Sequence, residues 1–377
     1  MNASEPRDAP DGVRAKPRAG RRPWAGPRPW AGRWLRALAL AWFAVAVAAC
    51  GSGDDGPLVR RVVVFGDSVS DMGTHGVGAI AAVGGGRYTV NPGPVWAERV
   101  AQELDHPITV GMTGGFGFAP VECPQPPSCT NWAMGGARVS LHPGIRENPD
   151  GSGQLARTIR EQIELHLARF GGFDDDEVVS VQGGGNDVFH QLLSIGALVQ
   201  GGLTFDQALA SVVAAMATAG AELAGYVKDD LLRNGARQVV VWNLQDVADT
   251  PFGQRLDPQT RALISAMTDA FNARLLGGLA GTAAKIIDTR QLLAQWVANP
   301  AAYGFGNVTT EACSRDKIAA VTGGLVQDGA SLVCSTQTLI DVDTSRYLFA
   351  DDVHPAPYAH RLLAETFLAE LRRNGWR

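Results

Sequence analysis

RVVVFGDSVSDMG, residues 61–73, decides the fold. Its first five residues form a nearly unbroken apolar run, as a strand needs when both faces of its sheet are covered. The run leads straight into Gly66-Asp67-Ser68, residue types that favour a tight turn. In a parallel α/β sheet the ligand crevice lies beyond the carboxyl ends of the strands, so the turn delivers Ser68 to where a site should form. The pattern repeats outward from there. Residues 178–181, 238–242 and 285–288 are further short β-branched runs. Apolar residues recur at helical spacing over 94–104, 157–170, 205–232, 263–279 and 355–373, and Asn234-Gly235 offers a C-cap to the third of these. This alternation predicts a three-layer α/β/α domain with a flavodoxin-like parallel sheet. Two stretches break the rhythm: 111–138, read as loop-like, and 304–343. Both are expected to be surface insertions.

The chain has 377 residues and a formal charge of −5. Its local Lys/Arg excess is confined to the first 36 residues, so no basic surface points to nucleic acid. That basic segment repeats itself, RPWAGP at 22–27 and RPWAGR at 28–33, and precedes an apolar run at 37–49. The run has the length of a signal-peptide h-region and is short for a bilayer span. Residues 1–49 are therefore read as a signal peptide with a long basic n-region, 50–60 as a flexible tether, and 61–377 as the single folded domain. Val47-Ala48-Ala49-Cys50, followed by a Gly/Ser/Asp stretch, resembles a bacterial lipoprotein signal with Cys50 acylated and the protein held at a membrane. An ordinary signal peptide cut near Ala49, releasing the protein to the periplasm or medium, is the alternative.

There are five cysteines. With Cys50 set aside, Cys123, Cys129, Cys313 and Cys334 allow three pairings, of which proximity favours Cys123–Cys129 and Cys313–Cys334. Such bridges persist in an oxidising compartment. A metal site is the rival, but the spacings contain no C-x-x-C and no adjacent histidine.

Three further segments complete a chemistry with Ser68. Asp351-Asp352-Val353-His354, directly before the last helix, offers a base and its orienting acid in one turn; a serine hydroxyl needs both to become a nucleophile. Asn131-Trp132-Ala133-Met134-Gly135-Gly136-Ala137 brings a glycine pair that can present a backbone N–H, and Gly183-Gly184-Gly185-Asn186-Asp187 follows a buried strand with a side-chain amide. Acyl transfer needs such donors aimed at the oxyanion. Each segment alone is an ordinary turn.

As an ordered set, the four blocks resemble those of the GDSL/SGNH hydrolases, over essentially the whole region from Val62 to the final helix. Asn243-Leu244-Gln245-Asp246, Thr250-Pro251 and Phe271-Asn272 look like further family segments. The cysteine-bearing stretch before D-x-x-H is similar to exported bacterial esterases, including autotransporter passenger domains, although no membrane β-barrel is expected after Arg377. Thr74 stands where many relatives carry Asn. The resemblance implies Ser68 as nucleophile, His354 as base and Asp351 as its orienter. It implies an oxyanion hole from the Ser68 and Gly136 backbone N–H groups and the Asn186 side chain, with Gly135 replacing Gly136 if the glycine pair is offset by one. It also implies an ester substrate, no cofactor and no metal. An acyltransferase on the same residues, or a non-catalytic envelope lipoprotein, are the alternatives.

Other polar residues carry blander expectations. His75 is read as a solvated loop residue, Asp67 and Asp71 as turn and cap formers, and the 174–177 carboxylates as a solvated loop. His106, His166, His190 and His360 match no metal spacing. Trp132 and Trp242 are read as core, with an acyl pocket as the other possibility.

Overall fold

The central strands are β-branched almost throughout because helices cover the sheet on both sides. The computed structural model describes residues 59–124 and 127–376, which fall within one compact unit. The expected signal peptide, Cys50 and most of the tether lie outside the described residues. Among those residues the strands are β1 (Arg61–Phe65), β2 (Met112–Gly115), β3 (Phe118–Glu122), β4 (Glu177–Val181), β5 (Gln238–Trp242), β6 (Lys285–Ile287), β7 (Asn307–Glu311) and β8 (Tyr347–Phe349). The helices are α1 (Gly78–Ala82), α2 (Trp96–Glu103), α3 (Ile159–Phe170), α4 (Gly185–Gln200), α5 (Phe205–Tyr226), α6 (Pro251–Gln254), α7 (Pro258–Leu279), α8 (Thr289–Ala298), α9 (Arg315–Val321) and α10 (Pro357–Arg373).

The sheet is parallel in the order β1-β4-β5-β6. Beside β1, the Val64 N–H donates to the Thr130 carbonyl at 2.9 Å and the Trp132 N–H to the Val64 carbonyl at 2.8 Å. This short edge pairing completes the flavodoxin-like strand order. The pleat then sorts the side chains. Val63, Phe65, Val179, Val181, Val239 and Val241 pack with Ile163 of α3, Met216 of α5 and Phe271 of α7. Val62, Val64, Val178, Val240 and Trp242 face the other way, onto Trp96 of α2, Trp296 of α8 and Phe367 of α10. Each such large apolar side chain contributes about 1.5–3 kcal/mol on burial.

Local signals set the helix ends. Thr158 and Glu161 form a reciprocal capping box at the start of α3, as do Thr204 and Gln207 at α5. α5 and α7 approach closely at Gly220, where a Cβ would lie 2.2 Å from the Phe271 carbonyl oxygen. The helix expected over 205–232 is regular only to Tyr226; a wide turn and a 3₁₀ turn follow, and Gly235 ends it at φ +104°.

Three expectations change. Residues 185–200, which carried no helical expectation, form α4; its Gly-rich polar start masks the apolar residues behind it. The first insertion is not loop-like, because β2 and β3 form an antiparallel hairpin. The second insertion is not merely superficial. Cys313, Ile318, Val333 and Cys334 form a buried cluster with Val90, Ala350 and Ala356. Both expected disulfides are present, Cys123–Cys129 and Cys313–Cys334.

Candidate active site

Ser68 sits just past the carboxyl end of β1, in a turn that Asp67 and Asp71 hold from below. One Asp67 oxygen accepts from the Val69 N–H at 3.1 Å and from the Gln182 amide at 2.6 Å. Asp71 accepts from the Gly73 and Thr74 N–H groups, and with its other oxygen from the Gly135 N–H at 2.9 Å. Both aspartates are thus turn formers, as expected, but they are buried. Burial pushes the Asp67 carboxyl upward, against its hydrogen bonds.

The loop between β8 and α10 brings His354 to this turn. His354 Nε2 lies 2.8 Å from Ser68 Oγ, and Nδ1 lies 2.8 and 2.9 Å from the two Asp351 oxygens. An ionised carboxylate can only accept, so Nδ1 carries the proton and Nε2 is left to accept from the serine hydroxyl. Asp351 is tied further: the His354 N–H at 2.7 Å and the Val353 N–H at 3.0 Å donate to one oxygen, and the Ser331 N–H at 2.8 Å to the other. Burial opposes ionisation of Asp351, but the charge and hydrogen bond of His354, with the Ser331 N–H, hold its carboxyl well below the usual range. Burial likewise opposes the imidazolium of His354; Asp351 outweighs it, and the net pKa lies above the ordinary 6.5.

A cavity of ≈ 270 Å³ opens over Ser68 and His354, with Gly136, Asn186, Phe189 and Val247 among its lining residues. Gly136 holds φ +80°, and a Cβ there would meet the Ile145 carbonyl at 2.5 Å, so glycine is required. The Gly135 N–H is already committed to Asp71. Neither the Gly136 nor the Ser68 N–H has a protein acceptor among the described residues. The Asn186 amide donates one N–H to the Ala137 carbonyl at 2.9 Å. Just behind it, the buried Asp187 joins Arg138 Nε (3.0 Å) and the Val139 N–H (3.0 Å), pinning the start of α4 to the glycine loop. Ser68, Gly136, Asn186, Asp351 and His354 are therefore brought together around one cavity; the four bridged cysteines do not line it, and Cys50 lies outside the described residues.

Several residues that sequence reasoning passed over also converge here. His75 is fully buried rather than solvated: its ring nitrogens lie 3.2 Å from the Tyr88 hydroxyl and 3.2 Å from the Leu155 carbonyl. The Tyr88 ring lies 5.0 Å from that of His354. Arg146 and Asp328 pair at the rim of the cavity. Of the acidic run, Glu177 is a buried strand residue paired with Arg61 at 2.9 Å, not part of a solvated loop. Trp132 is core, donating its indole N–H to His166.

The model of the GDSL-like lipase/acylhydrolase family matches residues 62–367. The chain belongs to this family. Three curated relatives were found for this GDSL-family chain. It is 29% identical over 329 residues to esterase EstA of Pseudomonas aeruginosa, covering 81% of this chain and 45% of that protein, with the same figures for esterase EstA of Pseudomonas putida. It is 28% identical over 327 residues to an uncharacterized protein of the trpE–trpG intergenic region of Pseudomonas putida, covering 81% and 47%. The chain spans about half the length of the curated relatives it matches. Among solved structures it matches an acetyl xylan esterase at 13% identity and a TM-score of 0.36, covering 82% of this chain and 99% of that one.

Proposed function

We propose that this GDSL-family chain is a serine-dependent carboxylic ester hydrolase, carried by one observation: the continuous hydrogen-bonded path Ser68 Oγ–His354–Asp351 at the floor of an open cavity. Ser68 Oγ attacks the ester carbonyl while His354 Nε2 takes its proton. The tetrahedral oxyanion is met by the Ser68 and Gly136 N–H groups and by the second N–H of Asn186. Each such donor is worth about a hundred- to a thousandfold in rate. Collapse expels the alcohol, to which His354 returns the proton, and leaves an acyl group on Ser68. Water, deprotonated by the same histidine, then releases the acid. Asp351 keeps the imidazole in the required tautomer and stabilises its charged form.

Export is part of the same reading. Two disulfides support an oxidising compartment, and the basic and apolar leader before Cys50 supports secretion with lipid attachment at that cysteine. The test of the chemistry is hydrolysis of p-nitrophenyl esters from acetate to palmitate by the wild type and by Ser68→Ala. The variant should lose at least about 10⁴-fold in kcat. Retained hydrolysis in folded Ser68→Ala protein would overturn the reading.

A further inference from the structure

A second, smaller cavity of ≈ 60 Å³ lies beside the first and shares four of its wall residues: Val69, Gln245, Thr250 and Val353. Val69 directly follows Ser68 and Val353 directly precedes His354, so the partition between the cavities is built from the immediate neighbours of the two reacting groups. The far wall is apolar and comes from the α8–α10 side of the sheet: Trp242, Leu292, Leu293, Trp296, Phe349 and Leu363.

Of the polar side chains that reach this cavity, Gln245 stands in the partition itself; the others point their polar atoms to protein partners. Trp96 Nε1 donates to Ser70 Oγ at 3.0 Å and Trp242 Nε1 to Ser180 Oγ at 2.8 Å. The Gln182 amide is engaged at both ends, by Ser70 and by Asp67. The Thr250 hydroxyl donates to the Val247 carbonyl at 2.7 Å, and the Thr289 hydroxyl to Asn243. Beyond the Gln245 amide at the partition, a sugar hydroxyl or charged group would leave its hydrogen bonds unmade, a penalty that hydrocarbon avoids.

Resting on the ester-hydrolase reading above, we infer that this cavity takes the distal part of the substrate's acyl chain, entering past Val69 and Val353, and so sets the chain length the protein prefers. A cavity of this size takes the end of a short chain, a few methylenes at most, and not a long one. The preferred substrates are then esters of medium-length unbranched fatty acids, from butanoate to octanoate. Acetate does not reach the cavity, and palmitate overfills it. Leu292, half-buried on α8, is an apolar lining residue whose side-chain volume can be changed to test this.

The experiment measures kcat/KM on p-nitrophenyl acetate, butanoate, hexanoate, octanoate and palmitate for the wild type, Leu292→Trp, Leu292→Ala and Ser68→Ala. Filling the cavity with tryptophan should lower the octanoate-to-acetate ratio about tenfold or more, since one or two methylenes in an apolar pocket discriminate by that order. Leu292→Ala should move the optimum to longer chains, and it decides the matter if the tryptophan variant fails to fold. A wild-type profile that falls steadily from acetate, or ratios unchanged in both Leu292 variants, would overturn the inference. In either case an inactive Ser68→Ala leaves the serine mechanism standing; an active one removes that mechanism instead.

Discussion

The two disulfide-bearing regions look alike in the sequence and differ in what they hold. The Cys123–Cys129 bridge closes a short loop after the β2–β3 hairpin, whose second strand is exposed along its length. No residue of the hairpin or its bridge lines the Ser68 cavity. The Cys313–Cys334 bridge is buried and closes a ring that passes through Asp351. On one side the Ala312 and Cys313 N–H groups pair with the Phe349 and Ala350 carbonyls, directly before Asp351. On the other, the segment leading to Cys334 supplies the Ser331 N–H to Asp351 itself. Asn91 clamps that segment by donating to the Ser331 and Cys334 carbonyls. The first bridge has its buried end at Cys129 but holds no group that touches Asp351; the second is tied to Asp351 through the Ser331 N–H and to the adjoining Ala350 through the Cys313 N–H.

Removing each bridge tests that contrast, and carries the largest effect. By loop closure, Cys123→Ser/Cys129→Ser should cost about 2 kcal/mol and Cys313→Ser/Cys334→Ser about 3 kcal/mol, so stability alone barely separates them. The rate should. We expect the first double variant to stay within about twofold of wild-type kcat and the second to fall about tenfold or more, because a loosened acid no longer fixes the base. Both are read by denaturant melts and by steady-state kinetics well below the melting range. Equal losses of kcat would erase the distinction.

The difference between these regions also marks where sequence reading stopped. β1 and Gly66-Asp67-Ser68 are legible because an apolar run and a turn signature are local, and Asp351 and His354 because their spacing fits one turn. The cysteine pairs are legible as pairs. Their roles are not, since what the second bridge positions is a backbone N–H at Ser331, a group nearly every residue carries. The burial of His75 is hidden from the sequence for a related reason. Its glycine-rich surroundings suggest exposure, yet the hairpin and Tyr88 cover it. α4 is hidden because its first residues, Gly185-Asn186-Asp187, are poor helix formers that mask the apolar residues behind them.

Ser331→Pro isolates that one N–H, with a smaller expected effect. Ser331 is the first residue of a short 3₁₀ turn, and Ala330 before it holds φ −52° and ψ 128°, an extended conformation that a following proline accepts. The substitution removes a hydrogen bond to a charged group, worth about 1.5–3 kcal/mol where fully expressed, and leaves the bridge intact. A several-fold drop in kcat with KM nearly unchanged is expected. A kcat equal to that of wild type would return the Cys313–Cys334 effect to stability alone.

The smallest effect is a shift of the pH profile, and it connects the two measurements. In the proposed mechanism His354 must be neutral to take the proton of Ser68, so kcat/KM should rise with pH through the pKa of His354, which Asp351 holds above 6.5 despite burial. The stability linked to that raised pKa has the opposite sense: it is fully present below 6.5 and lost as pH rises through the folded-state value. Asp351, held below its ordinary 3.8, contributes stability that is present above that value and lost as pH falls toward its folded pKa. Between the two ordinary values, in mild acid, the pair therefore stabilises the fold most while the base is protonated and catalysis is weak. Freeing Asp351 weakens its hold on the imidazolium, so the acid limb of kcat/KM should move to lower pH in Cys313→Ser/Cys334→Ser and in Ser331→Pro. The limb should stay in place in Cys123→Ser/Cys129→Ser, whose bridge touches neither partner. An acid limb that moves equally in all three variants would mean that the second region holds Asp351 no more firmly than the hairpin does.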